Sequence, residues 1–265
     1  MKWEDAVKLL KKNETNKQLV LDCFFDDPLI QAAERYFLSN EWLAIKSFLP
    51  KKAGIALDVG AGRGITSYAI AKEGWHTIAI DPDLSLEVGI EAIKLLTMES
   101  GLSIKAYQSY GESIPFPDET FDLVHCRQVL HHSKNLKKIC SELSRVLKKG
   151  GVFIATREHV ISNVSDLPVF LAAHPLHKYY GGENAFLLKE YLENIKSAGI
   201  HLTSILNPYA SDINLAPETK KSLKTKIANK VYFPWPMLIP DFILPILGNL
   251  INTPGRIYTF VGNKL

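Results

Sequence analysis

A chain of 265 residues with 46% apolar composition can build one large α/β domain, or a core with a cap. A formal charge of +3 supplies no concentrated basic face, so a nucleic-acid partner is not expected. Three widely spaced cysteines, Cys23, Cys126 and Cys140, fit neither a disulfide framework nor a zinc signature, and a reducing cytoplasm is the expected setting.

Residues 1–50 read as amphipathic helices broken at Asp26-Asp27-Pro28, and their expected place is a helical lid over the mouth of the remaining domain, 51–265. The start of the chain shows no apolar signal-peptide core. Tyr36, Phe37 and Trp42 recur at helical spacing, which favours core over a substrate pocket.

Ile55 to Val59 is a strand buried on both faces, and Gly60, Gly62 and Gly64 then let the backbone turn sharply against a ligand. Ile65, Tyr68, Ala69 and Ala71 follow at helical spacing up to Gly74. Strand, glycine turn and helix open a doubly wound sheet, whose ligands sit outside the carboxyl ends of the strands. A dinucleotide fingerprint places its third glycine where this chain has Ile65, so a nicotinamide cofactor is disfavoured. His76 to Asp81 is a second strand. Asp81 stands 21 residues after Gly60, where a carboxylate can accept both ribose hydroxyls of an adenosine. A helix is expected from Leu84 to about Ser100, a third strand over 103–108 and a fourth over 123–126.

At Leu57-Asp58-Val59-Gly60-Ala61-Gly62-Arg63-Gly64 the chain resembles motif I of the class I S-adenosylmethionine-dependent methyltransferases. Leu130-His131-His132 followed by Arg145-Val146-Leu147-Lys148-Lys149-Gly150-Gly151 resembles the type 11 group of that family. The resemblance implies a Rossmann-like, doubly wound α/β sheet of seven strands, mostly parallel with the last antiparallel. It also implies S-adenosylmethionine as cofactor and S-adenosylhomocysteine as product. The implied cofactor residues are Asp58, Gly60, Ala61, Gly62, Gly64, Asp81, Pro82, Gly111, Glu112 and Cys126, with Asp58 near the amino group of the methionine. One departure stands out: Tyr110 occupies the position where the family usually carries an aspartate for the adenine amino group.

A hydroxyl acceptor calls for a base, and histidine is the commonest one. His131, His132 and His159 lie at the carboxyl ends of strands four and five, and His177 joins them as a candidate. The stretch 174–185 gathers two histidines, two tyrosines and Glu183, which suits a hydroxylated small molecule: a sugar, a natural product or a lipid-linked intermediate. The spacing of His174, His177 and Glu183 matches no ligand signature, and no metal is expected. Strands six and seven are expected near 200–206 and 256–261, with 207–255 inserted between them as a cap or interface segment. Within 217–251 a lysine-rich helix precedes an apolar stretch interrupted by four prolines, which argues against a membrane span. Contact with an anionic membrane, a lipid-linked substrate or a second copy of the chain is left open. The two rival functions are a nicotinamide-dependent oxidoreductase and a non-catalytic S-adenosylmethionine-binding regulator.

Overall fold

The computed structural model describes residues 2–265, organised around one sheet in the order β3-β2-β1-β4-β5-β8-β7. These strands are β1 (Ile55–Val59), β2 (His76–Asp81), β3 (Ile104–Gln108), β4 (Phe121–Arg127), β5 (Leu147–Ile161), β6 (Phe186–Leu187), β7 (Ile200–Leu206) and β8 (Arg256–Lys264). Apolar runs at β1 and β4 are buried on both faces, as a central parallel strand requires. β8 runs antiparallel to both of its neighbours, β5 and β7. The topology is the expected Rossmann-like one, with one strand more than the expected seven. That strand, β6, is two residues long and pairs with Val160 and Ile161. It exists because β5 continues past Thr156, where the strand was expected to stop, and leaves an edge to be paired.

The helices are α1 (Trp3–Lys12), α2 (Lys17–Asp22), α3 (Leu29–Phe37), α4 (Asn40–Lys46), α5 (Ile65–Lys72), α6 (Ile90–Ser100), α7 (Leu136–Val146), α8 (Leu167–Ala173), α9 (His177–Tyr180), α10 (Leu188–Ser197), α11 (Asp212–Leu215), α12 (Lys220–Lys230) and α13 (Ile243–Gly248). The two faces of the sheet carry separate cores. One joins α3, α4, α5 and α6 through Tyr36, Trp42, Ile70, Ile93 and Leu96. The other joins α7 and α10 through Ile139, Leu143, Tyr191 and Ile195. α7 starts where the Asn135 side chain accepts the Lys138 N–H, satisfying a donor that the helix itself leaves free. α6 begins at Ile90 rather than Leu84, because the 83–90 segment closes a loop on itself through Ile90 N–H to the Asp83 carbonyl, 2.9 Å.

Residues 207–255 hold α11, α12 and α13 between β7 and β8. α11 packs on α4 and β8, whereas the later part leaves Tyr232, Trp235, Met237, Leu238, Phe242 and Ile246 exposed. No helix among the described residues is long and apolar enough to cross a membrane.

Candidate functional site

The carboxyl ends of β1, β2, β3 and β4 open into a cavity of about 1460 Å³, which is larger than the roughly 300–1,000 Å³ of an ordinary small-molecule pocket. One end is made by the glycine turn. Gly60, Gly62 and Gly64 have φ values of 62°, 55° and 82°, a region that a Cβ disfavours. A Cβ on Gly60 would also stand 2.6 Å from Val129 Cγ2, so the turn after β4 is seated directly on this glycine. Asp81 closes the same end. Its two oxygens accept the N–H groups of Gly62 and Asp83, each at 2.8 Å. Each oxygen keeps a lone pair for a hydroxyl donor. Burial pushes the Asp81 carboxyl up to about 6, with the two backbone donors opposing the rise.

Asp58 also borders the cavity, and both its oxygens are engaged. Oδ2 accepts Ser67 Oγ–H at 2.6 Å, and Oδ1 lies 3.0 Å from His125 Nδ1. The side chain is thus fixed within the fold, beside the space where the resemblance places an amino group. Pro82, Tyr110, Gly111 and Glu112 line the wall next to Asp81. Gly111 is squeezed, since a Cβ there would meet Ile139 Cδ1 at 2.6 Å. The carboxylate of Glu112 accepts the Lys134 N–H at 3.2 Å, and Tyr110 is largely exposed.

The opposite end is built from side chains. Arg157 takes a left-handed φ of 61° at an irregularity in the β5–β8 pairing, between Ala155 and Glu158. Such a bulge re-aims the residues that follow it. Glu158, wholly buried, turns back under the 129–131 loop. It accepts N–H bonds from Val129 and Leu130 at 3.1 Å and from His131 at 3.0 Å, and the His131 ring Nδ1 at 2.7 Å. With three backbone donors on the carboxylate, the fourth contact is an Nδ1–H donating to it, which leaves a lone pair on His131 Nε2. Burial raises the Glu158 carboxyl above its ordinary value, against the pull of those backbone bonds. Burial holds His131 and His159 well below the ordinary histidine value, and His174 below it. The imidazoles are therefore neutral near pH 7.

His131, His159 and Glu183 converge, each offering an atom within 4.8 Å of the others. His132 and His174 flank them, with His132 Nδ1 2.9 Å from the Gly182 carbonyl oxygen. The mouth is roofed by aromatics: Trp3 of α1 lies 5.0 Å from Tyr180 and 5.7 Å from Phe25, between ring centroids.

Of the residues singled out in the sequence, Asp58, Gly60, Ala61, Gly62, Asp81, Pro82, Gly111, Glu112, His131 and His132 line the cavity. Four do not. Cys126 is wholly buried in the core because alternate β4 residues face away from the cavity. Gly64 faces Ile93 of α6, 3.1 Å from the position of its Cβ. His177, at the start of α9, stands outside the lining, and His159 lies behind His131 and Phe170, with ring centroids at 4.7 and 4.8 Å. Residues that sequence reasoning missed include Glu158, whose role depends on the bulge, and the partly buried Arg127, whose Nε and Nη2 hold Glu41 of α4 at 2.7 and 3.0 Å. Arg63, between the glycines, is another: it binds the Phe24 and Asp26 carbonyls and Asp27, tying the turn to the N-terminal helices.

Residues 57–155 match the methyltransferase-domain family. Together with the glycine turn and Asp81, this decides the class. The chain carries a class I S-adenosylmethionine-dependent methyltransferase domain. It is 32% identical over 124 residues to the uncharacterised methyltransferase YcgJ of Bacillus subtilis, covering 46% of this chain and 48% of that one. It thus spans about half the length of that relative. It is 26% identical over 171 residues to the ubiquinone biosynthesis O-methyltransferase of Xylella fastidiosa, covering 61% of this chain and 66% of the relative. The crystal structure of YcgJ shares the fold, with a TM-score of 0.57 at 21% identity over 85% of this chain and 97% of that one. The [4+2]-cyclase SpnF has it too, at a TM-score of 0.59 and 18% identity, over 88% and 81% of the two chains. The methyltransferase domain is therefore a scaffold that also serves other chemistry.

Proposed function

We propose that the protein transfers the methyl group of S-adenosylmethionine to a hydroxyl of a small-molecule acceptor. The observation that carries this reading is the two-ended cavity. Its backbone-built end suits an adenosyl group, and its histidine-rich end suits a hydroxyl. Asp81 would accept the ribose hydroxyls, the 60–62 backbone would lie along the methionine part, and 110–112 with Pro82 would border the adenine. The cofactor supplies a methyl already activated by its sulfonium, so the bond to sulfur breaks as the acceptor oxygen forms the new one. What this chain must do is aim the oxygen and exclude water, and orientation of that kind is worth up to roughly 7–11 kcal/mol. Trp3, Phe25 and Tyr180 would act as the lid that excludes water, and the histidine end would take the hydroxyl proton. Similarity to a ubiquinone biosynthesis O-methyltransferase supports an oxygen acceptor. A sugar, a natural product and a lipid-linked intermediate all remain within the reading.

The test pairs calorimetry with S-adenosylhomocysteine and with oxidised nicotinamide dinucleotide, then a tritiated-methyl assay over a panel of phenols, sugars and lipid-linked alcohols. Binding of S-adenosylhomocysteine with label on one acceptor class is the expected result. Binding of the dinucleotide alone would establish the oxidoreductase instead, and S-adenosylhomocysteine binding with no label on any acceptor would favour the regulator.

A second reading concerns residues 217–251. Tyr232 is 94% exposed and Phe242 68% exposed, with Trp235, Met237 and Leu238 nearby and Lys221 and Lys230 on α12 beside them. An apolar surface fringed by cations suits the interface of an anionic membrane, which would hold the enzyme peripherally and offer it a lipid-linked acceptor. Flotation with vesicles containing phosphatidylglycerol tests this, against neutral vesicles as the comparison. No flotation, or equal flotation with both preparations, would end the idea.

A further inference from the structure

The histidine-rich end of the cavity has a feature that a simple base does not need. His159 Nδ1 lies 2.8 Å from the Gly255 carbonyl oxygen, so it carries the ring proton, and Nε2 is left a lone pair. That Nε2 is buried and has no hydrogen-bond partner. His131 is fixed in the same tautomer by Glu158, as its Nδ1 geometry requires. Two buried imidazoles therefore point bare nitrogens, not N–H groups, toward one place. The Glu183 carboxylate, whose side chain is only 6% exposed, faces that place as well, 3.7 Å from His131 Nε2. It lies 3.8 Å from His174 Nδ1, a nitrogen that is itself buried without a partner. These separations exceed a hydrogen bond. Lone pairs facing a carboxylate repel one another, and the His159 and His174 nitrogens are buried without a partner that would relieve them.

A cation between them removes the conflict. We propose that His131 Nε2, His159 Nε2 and the Glu183 carboxylate bind one divalent transition-metal ion of the zinc type. Ligand atoms around a tetrahedral zinc with bonds near 2.1 Å stand about 3.4 Å apart, so the observed spacing closes onto an ion with small side-chain movement. The donor set of two imidazoles and one carboxylate leaves a coordination position open, as in catalytic zinc and non-haem iron sites. Glu158 and the Gly255 carbonyl are the outer partners that such ligating histidines carry, and they fix both tautomers before the metal arrives. His131 and Glu183 line the cavity, so the open position faces it. On the proposed methyl transfer, on which this part rests, an ion held there would lower the pKa of an acceptor hydroxyl at the open position; His131 and His159 would then act on the proton through the ion, and His132 beside them would be the base that remains.

The site was not legible in the sequence. His131 and His159 come from the ends of β4 and β5, and Glu183 from a loop 24 residues later, so no ligand spacing exists to be read. The experiment is calorimetric titration of zinc chloride into chelator-dialysed full-length protein, with cobalt chloride added in parallel and the visible spectrum recorded. One equivalent should bind, and cobalt should develop intense d–d bands. His159→Ala and Glu183→Gln should each weaken binding about tenfold or more, whereas His201→Ala, on the exposed face of β7, should bind as the unaltered protein does. Binding of S-adenosylhomocysteine by each variant reports that it is folded. Should His159→Ala not fold, the cobalt spectrum of the unaltered protein decides alone. Absence of stoichiometric binding, or equal affinity in all variants, overturns the metal site. If S-adenosylhomocysteine still binds in that case, the methyltransferase reading stands without it.

Discussion

The two ends of the cavity are made differently. The glycine-turn end, where we propose the cofactor binds, is a backbone construction: three glycines in left-handed conformations, one carboxylate and a pair of N–H bonds, all within residues 58–83. The histidine end is assembled from side chains of β4, β5 and the 174–183 loop, and one buried carboxylate, Glu158, aligns two of those segments. A backbone site tolerates changes of side chain but not of glycine, because what it offers is conformation. A side-chain site tolerates changes of chain path but not of its anchoring residue. This contrast orders the expected effects of substitution.

Glu158→Ala should be the most damaging change to stability. It leaves three buried N–H groups, those of Val129, Leu130 and His131, without an acceptor. At about 1–3 kcal/mol for each unsatisfied group, a loss of about 3–9 kcal/mol is expected, read as a fall in calorimetric Tm of roughly 10 °C or more. A melt within about 2 °C of the unaltered protein would show that water replaces the carboxylate at no cost. Gly60→Ala should spare stability more than binding. The new Cβ must displace Val129 and adopt a strained φ, which costs about 1–3 kcal/mol, and it shifts the two ends relative to each other. S-adenosylhomocysteine affinity should fall about 10- to 100-fold in calorimetry. Equal affinity would mean that the turn is not held by its contact with β4.

The same contrast explains what could be read from the sequence. The conformation of the glycine-turn end was legible because it is local: alternate glycines after a buried strand, then an acid 21 residues on. The sheet order followed from the same units, up to β5. Reading failed at Thr156, where apolar alternation stops and a strand was expected to end. In the fold, Arg157 enters a left-handed conformation, and pairing with β8 resumes at Glu158. No local pattern announces a bulge at an arginine, so Glu158 looked like the start of a loop and His159 like a residue facing the cavity. Cys126 failed for a simpler reason, the period of two along β4, which sends it into the core. Tertiary pairs such as Arg127 with Glu41 stand 86 positions apart in the chain and leave no sequence signal.

Asp81 sharpens the comparison through pH. Its carboxyl takes up a proton near pH 6 in the folded protein and near 3.8 when the environment is ordinary. Because the folded value is raised, ionisation weakens the folded state: the cost is absent below about pH 3.8 and complete above about pH 6. The ionised carboxylate accepts two ribose hydroxyls more strongly than the protonated carboxyl does, so binding favours the ionised form and weakens below about pH 6. S-adenosylhomocysteine affinity should fall by about tenfold per pH unit below about pH 6 and level off above it. Asp81→Asn should bind more weakly throughout and lose this dependence. A flat profile in the unaltered protein would remove Asp81 from the ribose.

The smallest effect on folding belongs to the surface beyond both ends. Trp235 is 62% exposed, and its ring lies 6.0 Å from that of Phe233 between centroids. Trp235→Ala exposes little that was hidden, so its stability change should lie within about 0.5 kcal/mol. Lys224, by contrast, is buried against Asp241 at 2.5 Å, and Lys226 pairs with Glu218, so only part of the α12 charge is free to meet anionic lipid. In the proposed membrane contact, the weight would therefore fall on the apolar residues. Trp235→Ala with Tyr232→Ala should therefore abolish most flotation with anionic vesicles, while the cofactor and metal titrations stay as they were. If flotation survives the double change and falls instead with Lys221→Glu and Lys230→Glu, the contact is electrostatic, and the exposed aromatics belong to a different surface.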